Sequence, residues 1–273
     1  MKNILLIFIK YGTHLLFIAF QIICFTLIVN NNKAHGDIYD NTKSIFFENF
    51  NDKVDQLSDY LKLDEQNDSL VRENAKLLDI IINQNNTSRT YTTTDSSLLQ
   101  QYSFIPAEIC NKTIHLRNNY FTLCAGSTNG VKPMMGVISA EGIVGITTRV
   151  SDHYSKVIPM LHSQSRISAS IKGLAFFGNL VWKNNDPKIM TLEAVPKHAP
   201  ISIGDLVVTS GYSSIFPKDL PIGTISNFEI TKGSSNYVID VKLFNDLNNL
   251  SYTYLVNNKL KEEKLNLENN IDE

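Results

Sequence analysis

The first thirty residues constrain everything that follows them. From Ile4 to Val29 the only fixed charge is Lys10. A bilayer core of about 30 Å requires roughly twenty mainly apolar residues at ~1.5 Å each. Tyr11 to Val29 supplies that span, with Lys10 placed to snorkel to the surface. A run that is apolar on every face for this length is unlike the single stripe of a helix packed on a globular core. Ala34-His35-Gly36 has the small residues of a signal-cleavage site, but the polar Asn30-Asn31-Asn32-Lys33 separates them from the apolar run. The sequence therefore predicts a retained anchor, with a short cytoplasmic N-terminus over 1–10, a transmembrane helix over 11–29 and the bulk of the chain exported. Lys2 and Lys10 precede the span and Lys33 and Lys43 follow it, so charge alone sets no orientation.

A helical pattern runs over 45–84 without proline or glycine. One stripe takes Phe46, Phe50, Val54, Leu57 and Leu61. A heptad then sets Leu63, Leu70 and Leu77 at d, with Tyr60, Asn67, Asn74 and Ile81 at a. Leucine at d with asparagine at a predicts a parallel homodimeric coiled coil, so Leu63, Asn67, Leu70, Asn74 and Leu77 are the expected dimerisation residues. A competing stripe through Val54, Leu57, Leu61, Val71, Ala75, Leu78 and Ile82 brings Asp64 and Asp68 into the seam. The alternative is an amphipathic helix packed on its own domain. Residues 85–101 are rich in Asn, Thr, Ser and Gln and read as a linker.

From residue 102 to 257 the chain turns β-rich. Short runs of Val, Ile, Phe and Thr are punctuated by Gly, Pro and Asn, as in barrels or a sandwich. Hairpins are expected where Glu141-Gly142 separates Val137–Ala140 from Ile143–Ile146, and where a glycine-bearing loop separates Ile225–Ile230 from Tyr237–Val241. Gly142, Gly145, Gly204, Asp205, Gly211, Pro217 and Gly223 are the expected structural turn residues. Cys110 and Cys124 fall on the faces opposite the apolar positions of their segments. They are either a cross-hairpin disulfide, given an oxidising compartment, or two surface thiols. The tail over 258–273 is expected to be disordered, with Leu260, Leu265 and Leu267 able to support a weak helix.

Three stretches carry a resemblance. Gly136-Val-Ile-Ser-Ala-Glu-Gly-Ile-Val-Gly145, Val150-Ser-Asp-His-Tyr-Ser-Lys-Val157 and Gly204-Asp-Leu-Val-Val-Thr-Ser-Gly211, the last followed by Ile215-Phe-Pro and Pro221-Ile-Gly223, resemble the MreC family of bacterial rod-shape proteins. The order of anchor, coiled coil, linker and β region is also that of the family. Two positions depart from its pattern, Met134 and Asp219, each standing where a glycine is common. The resemblance implies two small β-barrel-like subdomains and a non-enzymatic scaffold of the cell-elongation machinery, in the bacterial inner membrane with its bulk in the periplasm. Implied partners are the elongation transpeptidase (a penicillin-binding protein), MreD, RodA and MreB, together with a second copy of the chain, in dimers or filaments. Tyr212, Phe216 and Phe228 are candidate docking aromatics.

Other classes fit less well. A serine hydrolase of His153, Asp205 and Ser210 lacks the Gly-x-Ser-x-Gly elbow and a glycine-rich oxyanion loop. His115, His153, His162 and His198 have no metal-ligand spacing, and no phosphate-binding glycine motif is present, so neither metal nor cofactor is expected. With 19% charged residues and a formal net charge of -2, the chain has no basic surplus for nucleic acid. A periplasmic efflux adaptor would need a long helical hairpin between β segments, whereas one helical segment directly follows the anchor here.

Overall fold

The computed structural model describes residues 2–31, 63, 65–84, 101–183, 186–230, 233 and 235–269. Two units make up the chain, Met1–Asp68 and Ser69–Glu273. In the first, helix α1 runs from Lys2 to Asn31, about 45 Å at ~1.5 Å per residue. Leu16, Phe17, Ile18, Phe20, Ile22 and Ile23 on it are all exposed. Among the described residues no helix is long and apolar enough to cross a membrane; the described side chains of α1 lie between Gly12 and Leu27. The stripe from Phe46 to Leu61 and most of the expected linker fall outside the described residues.

Alternating burial along short strands closes the second unit into two barrels. β1 (Tyr102–Lys112), β2 (Phe121–Leu123), β3 (Gly136–Ile138), β4 (Ile143–Val150) and β5 (Ser155–Pro159) form most of the first. The chain then builds a second barrel from β6 (Ile167–Ile171), β7 (Phe177–Val181), β8 (Ile189–Pro196), β9 (Leu206–Thr209), β10 (Pro221–Ile230) and β11 (Asn236–Leu243), before returning as β12 (Tyr252–Asn258). The strand orders are β1-β12-β3-β4-β5-β2 and β10-β11-β8-β7-β6-β9, both closed. What lies between β5 and β12 is therefore a barrel and not the helical hairpin of an efflux adaptor. Period-2 burial is clean in β6, where Ile167, Ala169 and Ile171 point inward. Register shifts between Thr147 and Arg149 and between Ile225 and Asn227 mark the bulges that bend so few strands into closure. Both expected hairpins form, as β3–β4 and β10–β11.

The turn residues divide into two kinds. Gly142, Gly204 and Gly211 have φ of 149°, 94° and 76°, a region that favours glycine. Met134 and Asp219, standing where glycine is common, also have positive φ, 62° and 65°. Gly145 and Gly223, expected in turns, lie inside β4 and β10 instead. A Cβ at either would overlap a backbone carbonyl of the adjacent strand, Ile158 or Lys242, so glycine serves close strand approach there.

Helix α2 is described over residues 65–84. Its competing stripe wins the intramolecular contact: Val71 and Ala75 are buried, with Leu78 and Ile82 packed beside them on the barrel core. Sequence alone ranks this face second because its upstream part is acidic, but docking on the barrel needs only its last turns. In the tail the alternative to disorder is the one seen: Lys261–Asn269 forms helix α3.

Candidate partner-docking surface

β1 offers two kinds of edge. From Ile109 onward it pairs with β2, but its first half has a strand partner only in β12. The open edge is covered by α2 side chains. The Asn83 amide donates to the Tyr102 carbonyl at 2.9 Å and accepts from the Tyr102 N–H at 3.0 Å, and Asp79 accepts from the Phe104 N–H at 2.9 Å. Burial pushes the Asp79 carboxyl above its usual range, and the Phe104 bond opposes that shift. Where β1 and β2 do pair, Cys110 and Cys124 are joined as a disulfide with Cα atoms 5.7 Å apart, which resolves the two sequence alternatives.

With one face of α2 spent on the barrel, the leucine stripe is free. Leu63, Leu70 and Leu77 are 61%, 59% and 48% exposed. Asn67 and Asn74 are exposed beside them.

The second exposed apolar feature belongs to the β9–β10 loop. Thr209 Oγ1 donates to the Pro217 carbonyl at 2.6 Å and accepts from Leu220 N–H at 2.9 Å, pinching the loop at its base. Ser210 Oγ lies 2.7 Å from Ser168 Oγ and accepts from the Tyr212 N–H at 3.3 Å. Within this frame the candidate aromatics separate. Phe216 is only 3% exposed and is wedged between the barrels against Gly136, where a Cβ would overlap its ring. Phe228 is half-buried and stacks edge-on against Tyr237. Tyr212 alone is free, at 66% exposure, and meets exposed Phe177 edge-on with ring centroids 5.0 Å apart. The pair borders a cleft of about 540 Å3 that also draws on Lys172, Phe176, Lys218 and Asp219. An apolar pair at the mouth of a charged-rimmed cleft suits docking of an apolar side chain with a polar surround.

The three residues of the serine-hydrolase alternative are not brought together. Asp205 and Ser210 bracket β9, about 16 Å apart along an extended strand, while His153 lies in the β4–β5 turn of the other barrel. Asp205 is engaged as a turn residue, accepting the Ser202 N–H at 2.8 Å. Among the described residues no cluster of His, Cys, Asp and Glu is disposed to hold a metal ion. Phe177, Asp79 and Asn83 were not singled out by the sequence, and His162 was read only as one of four scattered histidines. For Asp79 and Asn83 a signal existed, two hydrogen-bonding side chains at i, i+4 bordering the buried stripe.

Comparisons with known proteins agree with this architecture. A family model described as the barrel core of rod shape-determining protein MreC matches residues 109–257. The cell shape-determining protein MreC of Listeria monocytogenes is 26% identical over 193 residues, which cover 70% of this chain and 65% of the relative. That of Escherichia coli is 28% identical over 142 residues, covering 48% and 35%. The chain thus spans less than two thirds of the length of either relative. Among solved structures, Listeria MreC superposes with a TM-score of 0.55 at 24% identity, covering 74% of this chain and 92% of that one. Pseudomonas aeruginosa MreC gives 0.52 at 21% identity, covering 56% and 98%.

Proposed function

From the premise that this chain belongs to the MreC family of rod shape-determining proteins, we propose that it is a membrane-anchored scaffold that holds cell-wall synthesis enzymes together during elongation. The observation that carries the reading is the Tyr212–Phe177 pair, an exposed aromatic contact over a cleft on an otherwise closed barrel. The partner that docks there is the non-catalytic part of the elongation transpeptidase, which binding biases toward an active conformation. MreD, RodA and MreB are the further members of the assembly.

Two other features support the arrangement. The apolar residues exposed along α1 and the Ile4–Val29 run call for a lipid partner, consistent with an inner-membrane anchor and an exported bulk. A disulfide in the first barrel fits an oxidising, extracytoplasmic compartment. The exposed Leu63, Leu70 and Leu77 stripe is the homodimer seam, anchored in parallel by the two membrane helices. Replacing all three by alanine is expected to abolish self-association of the detergent-solubilised chain, with analytical ultracentrifugation as the readout.

The experiment is a pull-down from solubilised membranes with the full-length chain and with its Tyr212→Ala variant. The expected result is recovery of a cell-wall transpeptidase by the parent and at least tenfold less by the variant. Recovery of a transport ATPase with an outer-membrane channel, or equal recovery by the variant, would overturn the reading or its surface respectively.

A further inference from the structure

Helix α3 has no role in the scaffold as described, yet its contacts reach both barrels. Lys261 Nζ donates to the Met134 carbonyl at 2.7 Å, in the β2–β3 connection of the first barrel. One turn on, Lys264 Nζ donates to the Tyr212 carbonyl at 2.9 Å, in the β9–β10 loop of the second. Asn258, at the end of β12, donates to the Ser214 carbonyl of the same loop at 2.9 Å. Beneath these contacts lies a cavity of about 300 Å3 lined by Lys132, Met134, Ser214, Ile215, Asn258 and Lys261, among others. The leucines of α3 do not fill it: Leu265 and Leu267 are both exposed. The helix therefore spans a gap and is held by charged side chains on carbonyls.

Those carbonyls are not arbitrary. Met134 has positive φ, and Tyr212 follows Gly211, which also has positive φ. Such turns project backbone oxygens that have no strand partner, and an ammonium satisfies them with a charge-assisted bond. Burial holds the Lys261 amine below its ordinary range, opposed by the Glu262 carboxylate and reinforced by the nearby Lys132 charge.

We propose that Lys264 and Lys261 are positioning residues: α3 is a strap that fixes the Tyr212-bearing loop against the first barrel, so that the docking face is presented in one orientation. This rests on the reading of Tyr212 as part of the docking surface. The strap lowers the ordering cost of binding by preorganising the loop. Releasing it leaves both barrels folded but lets the loop carrying Tyr212 wander.

The test uses the full-length chain in detergent, as parent, Lys264→Met, Lys264→Arg and Glu268→Gln. The last removes only the exposed pair within α3 between Lys264 and Glu268. Amide hydrogen exchange of residues 213–216 is measured alongside affinity for the purified elongation transpeptidase and thermal unfolding by Trp182 fluorescence. Lys264→Met is expected to speed exchange at least tenfold and weaken affinity five- to tenfold with the unfolding midpoint unmoved. Lys264→Arg restores both, and Glu268→Gln changes neither. Unchanged exchange in Lys264→Met overturns the strap, and faster exchange with undiminished affinity overturns its positioning role. Failure of the parent to bind the transpeptidase overturns the docking reading instead, while the exchange arm still decides the strap.

Discussion

The two barrels have the same number of strands but are secured differently. The first is assembled from both ends of the β region, tied across β1 and β2 by the Cys110–Cys124 disulfide, and backed by α2 along its open edge. The second is one continuous stretch of chain with none of these ties, and it carries the exposed Tyr212–Phe177 pair. Such a difference suits the proposed scaffold, in which a partner would meet the less tied barrel.

The largest blow to that contrast comes from the first barrel's interior. Phe121 is fully buried on β2, and Phe121→Ala costs about 3–5 kcal/mol. Because β5 and β12 of the first barrel flank the insertion, the fluorescence of Trp182, between β7 and β8, is expected to report loss of the second barrel's docking as well. Denaturant unfolding checks this, and a second barrel unaffected by Phe121→Ala would mean that the two are independent.

Next in size is the disulfide. Replacing Cys110 and Cys124 together by serine should cost about 2–4 kcal/mol, concentrated in the first barrel. Hydrogen exchange should rise at Ile109–Lys112 and Phe121–Leu123 while β6 to β11 stay protected. Equal loosening of both barrels would break the comparison.

Smaller again is the edge cover. Asn83→Ala strands the Tyr102 N–H and carbonyl, at roughly 1–3 kcal/mol, with faster exchange at the Tyr102 amide as the readout.

The smallest effect is a pH dependence at His162, in the connection between the barrels. It is 1% exposed, its Nδ1 accepts the Gln164 N–H at 3.0 Å, and Nε2 has no partner. Burial, with help from Lys156, pushes its pKa below the ordinary value of 6.5. The neutral ring is thus the folded form. Above about pH 6.5 neither state is protonated and its contribution is fully present. As pH falls below that value the unfolded chain takes up the proton first, and stability declines until the folded-state pKa is passed. The difference in unfolding free energy between the parent and His162→Gln is therefore expected to shift against the parent between pH 6.5 and 5, and a pH-independent difference would show that the ring is not held neutral.

Much of this architecture was legible in the sequence because it is written in local rules. Glycines and their substitutes marked positive-φ turns, as at Gly142, Gly211, Met134 and Asp219, and alternation with hairpin punctuation marked the strands. Gly145 and Gly223 were misread because a glycine required by a neighbouring strand looks the same in sequence as one required by a turn. The α2 faces show a further limit. Two apolar stripes overlap on one helix, and which one meets the barrel depends on β1 having an open edge, a fact of topology. Tyr212 and Phe216 sit four residues apart in one loop with opposite fates for a similar reason. Composition flags both rings, but only the pinch by Thr209 and the space above Gly136 decide which one is wedged inward.

The return of the chain as β12 also dictates an order of events. Phe104 pairs with Val256, across nearly the whole β region, so the first barrel cannot close until its last strand has been made, whereas every strand of the second pairs within 167–243. Contacts that distant in sequence are slow to form. The half nearest the start of the chain is therefore the last to be completed, and until β12 arrives one long edge of β1 stays open while the other is covered by β2 and α2, both already synthesised.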